Sequence, residues 1–456
     1  MNDRFKPNSL AARDVAYAVH PQTNLAKHMT SGPVIMEGGD GVFVRDDDGR
    51  AYLDVSSGLW CSSLGYANER LAQVAYDQMC KLGAYHTFRH HSNEPSILLA
   101  EKLIEMAPEG MSKVLFQCSG SEANDTAIKL AWYYFAAKGQ PEKCKIIGRE
   151  RAYHGTTIAS NSVSGKRDMH VDFNLPLSMF RHTEFPNYFR FHEEGESEEA
   201  FATRMAESLE RLILDEGPET VAAFFAEPVM GAGGAVVPPR SYFEKIQAVL
   251  KRYDVLLVAD EVICGFGRTG NMWGTETFDL EPDIMTCAKA LSAGMMPISA
   301  LLIGERVHEA MLSQSEKLGN FAHGFTYSGH PVSSAVALET LRIYEEMDVA
   351  RRTREIGGYM IEQLRTLYDY DFIGDVNGVG LMAGIELVTD RESRAPLDQS
   401  SGVMARLDRE ARSRGLILRL IGERLAFAPP FIITEPEIDE MMRRLRPSLE
   451  AAFANV

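Results

Sequence analysis

Positive charge is scarce in this chain. Its 47 Lys and Arg stand against 64 Asp and Glu, a formal net charge of -17. Such a surface repels polyphosphates and anionic lipid, which argues against nucleic acid and acidic membranes as main partners. It leaves room for a locally basic pocket around a small ligand. Cysteine is sparse too. Cys61, Cys80, Cys118, Cys144, Cys264 and Cys287 form no C-x-x-C pair, and several sit in apolar runs such as Leu115-Phe116-Gln117-Cys118. They read as buried free thiols in a reducing compartment, not as disulfides or zinc ligands. No apolar stretch is long enough to cross a bilayer. The first residues, MNDRFKP, lack the apolar core of a signal peptide. Together these features point to the cytoplasm. Internal repeats and low-complexity linkers are also missing.

What is present is an ordinary globular composition. The 456 residues are 45% hydrophobic and 24% charged, enough for two or three lobes around a large core. Val42–Arg45 and Ala51–Asp54 flank Asp46-Asp47-Asp48-Gly49, a hairpin signal in which glycine supplies positive φ. Helical periodicity follows around Glu69–Met79 and Ser96–Met106. From about Ser112 strands and helices alternate. Strands are expected at Val114–Phe116, Lys145–Ile147, Val221–Phe225, Val255–Ala259, Ile284–Cys287 and Ile298–Ile303. Helices are expected at Ser121–Ala137, Ala200–Leu214, Ser241–Arg252 and Val332–Glu346. Such alternation implies an α/β fold with a mostly parallel sheet and helices on both faces. Ligands bind such sheets at the carboxyl ends of the strands. A second α/β portion follows, with a strand at Gly384–Val388. The acidic run Glu193–Glu199 reads as a solvated loop entering a helix.

Several strand ends carry chemistry. An apolar run, Ile284-Met285-Thr286-Cys287-Ala288, delivers Lys289, and small residues follow it. Burial disfavours an ammonium and frees its amine, which a Schiff base with an aldehyde cofactor requires. Taken alone, a lysine at a strand end is more often a snorkelling surface residue. Asp260 and Glu261 end the strand before it, so Asp260 and Lys289 can face one crevice. A carboxylate there can hold a pyridine nitrogen protonated; a structural ion pair is the plainer alternative. Ser119-Gly120-Ser121-Glu122 has capping-box spacing. A helix opening there offers free N–H groups and the Ser121 hydroxyl to a phosphate, although capped helices are common without one. Tyr153 in Tyr153-His154-Gly155 can stack on a planar cofactor. Gly324-Phe325-Thr326-Tyr327-Ser328-Gly329-His330 is a second possible phosphate contact. His154 and His330 lack metal-site spacing and read as structural, so no metal is expected. Gly265-Phe266-Gly267-Arg268-Thr269-Gly270 spells G-x-G-x-x-G, but Asn271–Thr275 is a poor helix former, so the dinucleotide fingerprint fails in context.

In combination these segments resemble the class III, pyridoxal-phosphate-dependent aminotransferases of fold type I. Five motifs fall in the family's order: SGSEAND, YHG, EP followed by GAGG, DEVICGFGRTG, and the lysine segment with the later GFTYSGHP. The resemblance spans nearly the whole chain. It implies a large domain, residues 76–333, with a mostly parallel seven-stranded sheet. It also implies a small α/β domain from the chain ends, residues 1–75 and 334–456. Pyridoxal 5'-phosphate is the implied cofactor. Lys289 would bond it and shuttle the proton, and Asp260 would pair with its ring nitrogen. Tyr153 and Val262 would sandwich the ring, with His154 and Glu227 ordering its surroundings. Ser119, Gly120 and Ser121 would bind the phosphate, joined by Thr326 of a neighbouring subunit, which makes a homodimer, or a tetramer built from it, the active unit.

Within the family the chain looks most like the ω-amino acid or amine:pyruvate transaminases. Leu59, Trp60, Phe88, Tyr153 and Ala232 match their substrate pocket. Arg419 matches the mobile arginine that binds a carboxylate, which suits a guanidinium's parallel donors. Met295-Met296 and Arg89 depart from the usual pattern. The implied reaction passes an amino group from an ω-amino acid or primary amine to pyruvate by a ping-pong route. An aminomutase, a decarboxylase or another keto-acid acceptor on the same fold is the alternative. A non-catalytic binder would be expected to have lost Lys289 or Asp260, and both are present.

Overall fold

A computed structural model describes residues 5–454. At its centre is a seven-stranded sheet. In spatial order its strands are Met111–Gln117, Ser299–Gly304, Ile284–Cys287, Leu256–Asp260, Val221–Ala226, Lys145–Arg149 and Phe180–Thr183. Ser299–Gly304 runs antiparallel to both neighbours; the five strands beyond it are mutually parallel. This is the mostly parallel α/β sheet that the alternation implied.

The sheet is buried on both faces, and its strands have the continuous apolar sequences this demands. Every residue of Val221–Ala226 and of Leu256–Asp260 is buried. Neighbouring residues serve opposite faces. Phe225 and Val258 pack with Ile128 and Phe135 of the helix Gly120–Ala137. Phe224 and Leu257 pack instead with Leu209 and Ile246, from the helices Glu198–Glu216 and Tyr242–Arg252.

The chain ends meet beside this sheet. Met36–Asp40, Phe43–Asp46 and Ala51–Asp54 form a meander, which Leu416–Ile417 extends in parallel. The expected hairpin is there. Asp46 accepts from the Arg50 and Asp48 amides and from the Tyr52 hydroxyl, and Gly49 has φ +80. Ile373–Val379, Met382–Asp390, Arg424–Phe427 and Arg419–Ile421 form an antiparallel sheet. Helices Val349–Arg365, Val403–Ser413 and Glu435–Phe453 accompany it. Phe180–Thr183 was not foreseen; it is a short, half-polar edge strand with no apolar run to announce it.

The glycine string is a packing seam. Only the four-residue helix Gly274–Thr277 follows it. A Cβ on Gly267 would lie 2.8 Å from a Val349 methyl, and its φ is +95. Arg268 is buried there, stacked 4.3 Å from the Phe431 ring centroid and donating to the Pro429 carbonyl at 2.6 Å. Among the described residues no helix is long and apolar enough to cross a membrane.

Candidate active site

The carboxyl ends of four parallel strands, and of Met111–Gln117 beside them, converge on one cavity of about 110 Å³. Gly120, Ser121, Asn124, Tyr153, His154, Glu227, Asp260, Val262 and Lys289 all line it. Residues from widely separated sequence segments therefore share one crevice, as the topology requires.

Asp260 forms the floor. Its Oδ2 accepts from Asn124 Nδ2 and His154 Nδ1, both at 2.8 Å, and its Oδ1 accepts from the Val262 amide at 3.1 Å. Asn124 is itself fixed, donating to the His154 carbonyl at 2.7 Å and accepting from the Thr286 hydroxyl at 2.9 Å. Asp260, Asn124, His154 and Thr286 are all buried. A carboxylate held by three donors has its position set by the protein, not by solvent. Glu227 sits to one side, accepting from the Gly231 amide at 2.9 Å and the Tyr153 amide at 3.2 Å. Burial pushes its pKa up.

Lys289 stands over this floor. Its φ is +47, a left-handed conformation rare for a residue with a side chain and a mark of functional sites. The residue is half-buried because its surface opens into the cavity, but its ammonium is surrounded by protein. Burial lowers its pKa, and the Asp260 carboxylate works against that shift. Trp60 closes one side, its ring centroid 5.9 Å from Lys289 Nζ. Gly231 must be bare here, since a Cβ would come within 2.2 Å of the indole.

The opposite end of the cavity is a backbone cup. Ser119 caps the helix, accepting from the Glu122 amide at 3.2 Å, while Glu122 accepts from the Cys118 amide at 2.8 Å. The Ser119 half of the expected capping box is formed, whereas Glu122 reaches past the cap to the Cys118 amide rather than to that of Ser119. Gly120 and Ser121 contribute first-turn N–H groups, which have no acceptor inside a helix. Ser121 Oγ accepts from the Thr156 amide at 3.1 Å, which leaves its own proton to donate. Bare backbone is required on both sides. A Cβ on Gly120 would crowd Val262 at 3.1 Å, and one on Gly155 would reach the Ser121 hydroxyl at 2.6 Å. An anion-binding helix start, Tyr153 and Val262 lining the same cavity, a fixed carboxylate and a buried amine fit pyridoxal phosphate.

The rim is looser. Arg419 is an exposed residue at the start of the Arg419–Ile421 strand, and among the described residues it has no carboxylate partner. Its inner part is desolvated near Tyr153, which lowers its pKa. Burial raises that of Tyr153. The hairpin is anchored by Arg424, which is buried, pairs with Glu386 and donates to the Gly234 carbonyl at 2.8 Å. Ala232, in the adjoining loop, lines a separate open cavity of about 860 Å³ with Arg151, Lys166 and Ile421. Leu59 is 63% exposed and lines neither cavity.

Phe88 and Thr326 do not reach Lys289 within one chain. Both lie on a surface where Phe88 meets Gly324 and the Thr87 hydroxyl donates to the Ser328 carbonyl at 3.1 Å. Asn124 lies within SGSEAND and Thr286 within the lysine segment, and neither motif by itself assigns them a function. Each is a polar residue at an otherwise apolar position, and that mismatch was the available signal.

The family model for aminotransferase class-III matches residues 25–449. Gamma aminobutyrate transaminase 3, chloroplastic, of Solanum lycopersicum is 47% identical over 411 residues, 90% of this chain and 79% of that protein. The omega transaminase of Pseudomonas jessenii, solved in complex with PMP, superposes with a TM-score of 0.96 at 48% identity, over 98% of each chain. A transaminase solved with L-Ala gives a TM-score of 0.90 at 52% identity, over 92% of this chain and 99% of that one.

Proposed function

This chain belongs to the class-III aminotransferases, which depend on pyridoxal phosphate, and we propose that it passes an amino group from an ω-amino acid or primary amine to pyruvate, releasing alanine and an aldehyde or ketone. The observation that carries this reading is Lys289 held over a triply hydrogen-bonded Asp260. When bound, the cofactor supplies an aldehyde that takes up the amine and a ring that draws electrons from the carbon beside it.

The chain's own residues do the rest. Lys289 Nζ, whose pKa burial lowers, accepts the proton from the carbon bearing the amine and donates it back later. Asp260 keeps a positive charge at the ring nitrogen, and Asn124 and His154 keep Asp260 in place. Gly120 and Ser121 hold the phosphate, with Ser119 capping the helix behind them. Tyr153 and Val262 set the ring plane, and Glu227 steadies the Tyr153 and Gly231 backbone. Trp60 excludes water from the side facing Lys289.

Arg419 supports a keto-acid acceptor. An unpaired guanidinium at a pocket mouth suits a carboxylate, and its exposed position lets it withdraw when the substrate lacks one. The tomato relative is named for γ-aminobutyrate and a structural neighbour was solved with L-Ala; both support an ω-amino donor and the pyruvate–alanine pair. Leu59, Trp60, Phe88, Tyr153 and Ala232 are assigned to the substrate walls. Because Phe88 and Thr326 share one exposed surface, a second copy that brings Thr326 to the phosphate also brings Phe88, which makes a homodimer the working unit. We divide the chain into a large domain, residues 76–333, and a small one from residues 1–75 and 334–456. The six free cysteines support a cytoplasmic location.

The test is the visible spectrum of the holoenzyme. γ-Aminobutyrate, β-alanine or a hydrophobic amine should bleach the yellow absorbance, and pyruvate should restore it. A yellow protein that no amine bleaches would overturn the transaminase assignment.

A further inference from the structure

The N-terminal arm carries a side-chain cluster that the catalytic pocket does not use. The helices Leu10–Tyr17 and Leu25–Ser31 are short, and the turn between them folds the second back on the first. Asp14, His20 and His28 meet there. His20 Nε2 lies 2.9 Å from each Asp14 carboxylate oxygen, and His28 Nε2 lies 3.0 Å from Asp14 Oδ1. Their ligand atoms are all within 4.8 Å of one another. The imidazole centroids are 4.2 Å apart and the rings tilt by 33°. His28 is buried, whereas the His20 and Asp14 side chains are 33% and 25% exposed. The cluster is closed behind and open to water in front.

Two rings that aim the same nitrogen at one oxygen are an uneconomical way to satisfy an aspartate. Protonating both would set two cations side by side against one anion. Two neutral imidazoles and a carboxylate are, however, a donor set that zinc uses when one coordination position stays open. Tetrahedral zinc with bonds of about 2.0–2.2 Å spaces its ligand atoms by roughly 3.3 Å. The two His–Asp separations need to widen by only a few tenths of an ångström to admit it, and the two imidazole nitrogens already lie within 4.8 Å of each other. The arm also has reason to need a cross-link. Helices this short are marginal alone, and Leu10, Tyr17, Leu25 and Met29 remain exposed rather than packed into a core.

We propose that Asp14, His20 and His28 form a divalent-metal site of the zinc type, with water as fourth ligand, that clasps the two N-terminal helices. Metal binding there contributes directly to the folding of the arm, as it does in small domains that lack a core. Neither histidine was legible as a ligand from sequence spacing. The turn creates the site by bringing together residues from two helices and their link.

The experiment uses intact holoenzyme, stripped with a chelator, desalted and loaded with zinc chloride, with metal per chain read by plasma emission. The wild type is expected to retain one more zinc per chain than His20→Ala/His28→Ala. Cobalt(II) in the wild type should show the visible bands of a four-coordinate ion and lose them in the variant. If the double variant does not fold, Asp14→Asn and the half-exposed His20→Ala give the same comparison. Equal zinc content in wild type and variants, or a six-coordinate cobalt spectrum in the wild type, would overturn the site. Neither readout depends on which amine or keto acid the enzyme turns over.

Discussion

Asp260, Asn124, His154 and Thr286 lie at the bottom of the pocket, buried and joined by hydrogen bonds of 2.7–2.9 Å. Leu59, Phe88, Thr326 and Arg419 lie exposed around or away from its mouth, with no comparable network. A floor of this kind has few alternatives, because breaking any of these buried hydrogen bonds is costly. Exposed side chains keep several arrangements of similar energy. The floor therefore fixes the reaction, and the rim is left to choose the substrate. This division matches a family in which the chemistry is common and the substrates differ.

The largest effect that separates the two regions should come from Lys289→Ala. Removing the amine above the floor should cut turnover by about 10⁴-fold or more, while thermal stability holds or rises because a desolvated lysine is gone. Turnover within tenfold of wild type would break the assignment of the floor to chemistry. Asp260→Asn comes next. Losing a buried charge that its surroundings are built to stabilise typically costs about 3–5 kcal/mol, so kcat should fall on the order of a hundredfold or more, with little change in the acceptor's KM. Phosphate anchoring should persist, and retained cofactor after dialysis would check that.

Glu261 sharpens the comparison from behind. It is fully buried on the far side of the same strand end, accepting from the Thr275 amide at 2.6 Å and the Gly274 amide at 3.0 Å. Burial raises its pKa from 4.5 to about 7. The folded state thus keeps a proton that the unfolded state has already released. Stability should fall as pH rises between those values and level off above them. Glu261→Gln should flatten the thermal-denaturation midpoint across that window, by an amount equivalent to at most about 3 kcal/mol. An unchanged pH profile would contradict the role of burial. A smaller effect is expected from Asn124→Ala. It deprives Asp260 of one donor and should cost about 1–3 kcal/mol of stability or of transition-state binding. Asn124→Asp, which adds a second carboxylate beside Asp260, should be worse than alanine.

Legibility in the sequence followed the same line. Lys289 and Asp260 could be read because each terminates an apolar strand, a local pattern that survives without the fold. Ser119 could be read as a helix cap because its bond to the Glu122 amide spans only three residues. The buried strands announced the sheet by continuous apolar runs. Asn124 and Thr286 could not be given roles, since their partners are 136 and 162 residues away in the chain. Only the sheet's crossovers bring them together. Phe88 and Thr326 carry no local mark of where their surface is used. Asp14, His20 and His28 are separated by a turn whose path no spacing rule encodes.

The claim that the floor reacts while the rim selects is tested most directly by Arg419→Ala with two acceptors. Pyruvate, a ketone, carries a carboxylate and propanal, an aldehyde, does not; each acceptor is compared with itself between wild type and variant, so the difference in carbonyl reactivity cancels. The account predicts that kcat/KM for pyruvate falls by about tenfold to a hundredfold, the worth of a charge-assisted pair, while that for propanal is unchanged or rises. An equal loss for both acceptors would contradict it, because Arg419 would then belong to the machinery of reaction and not to the choice of substrate.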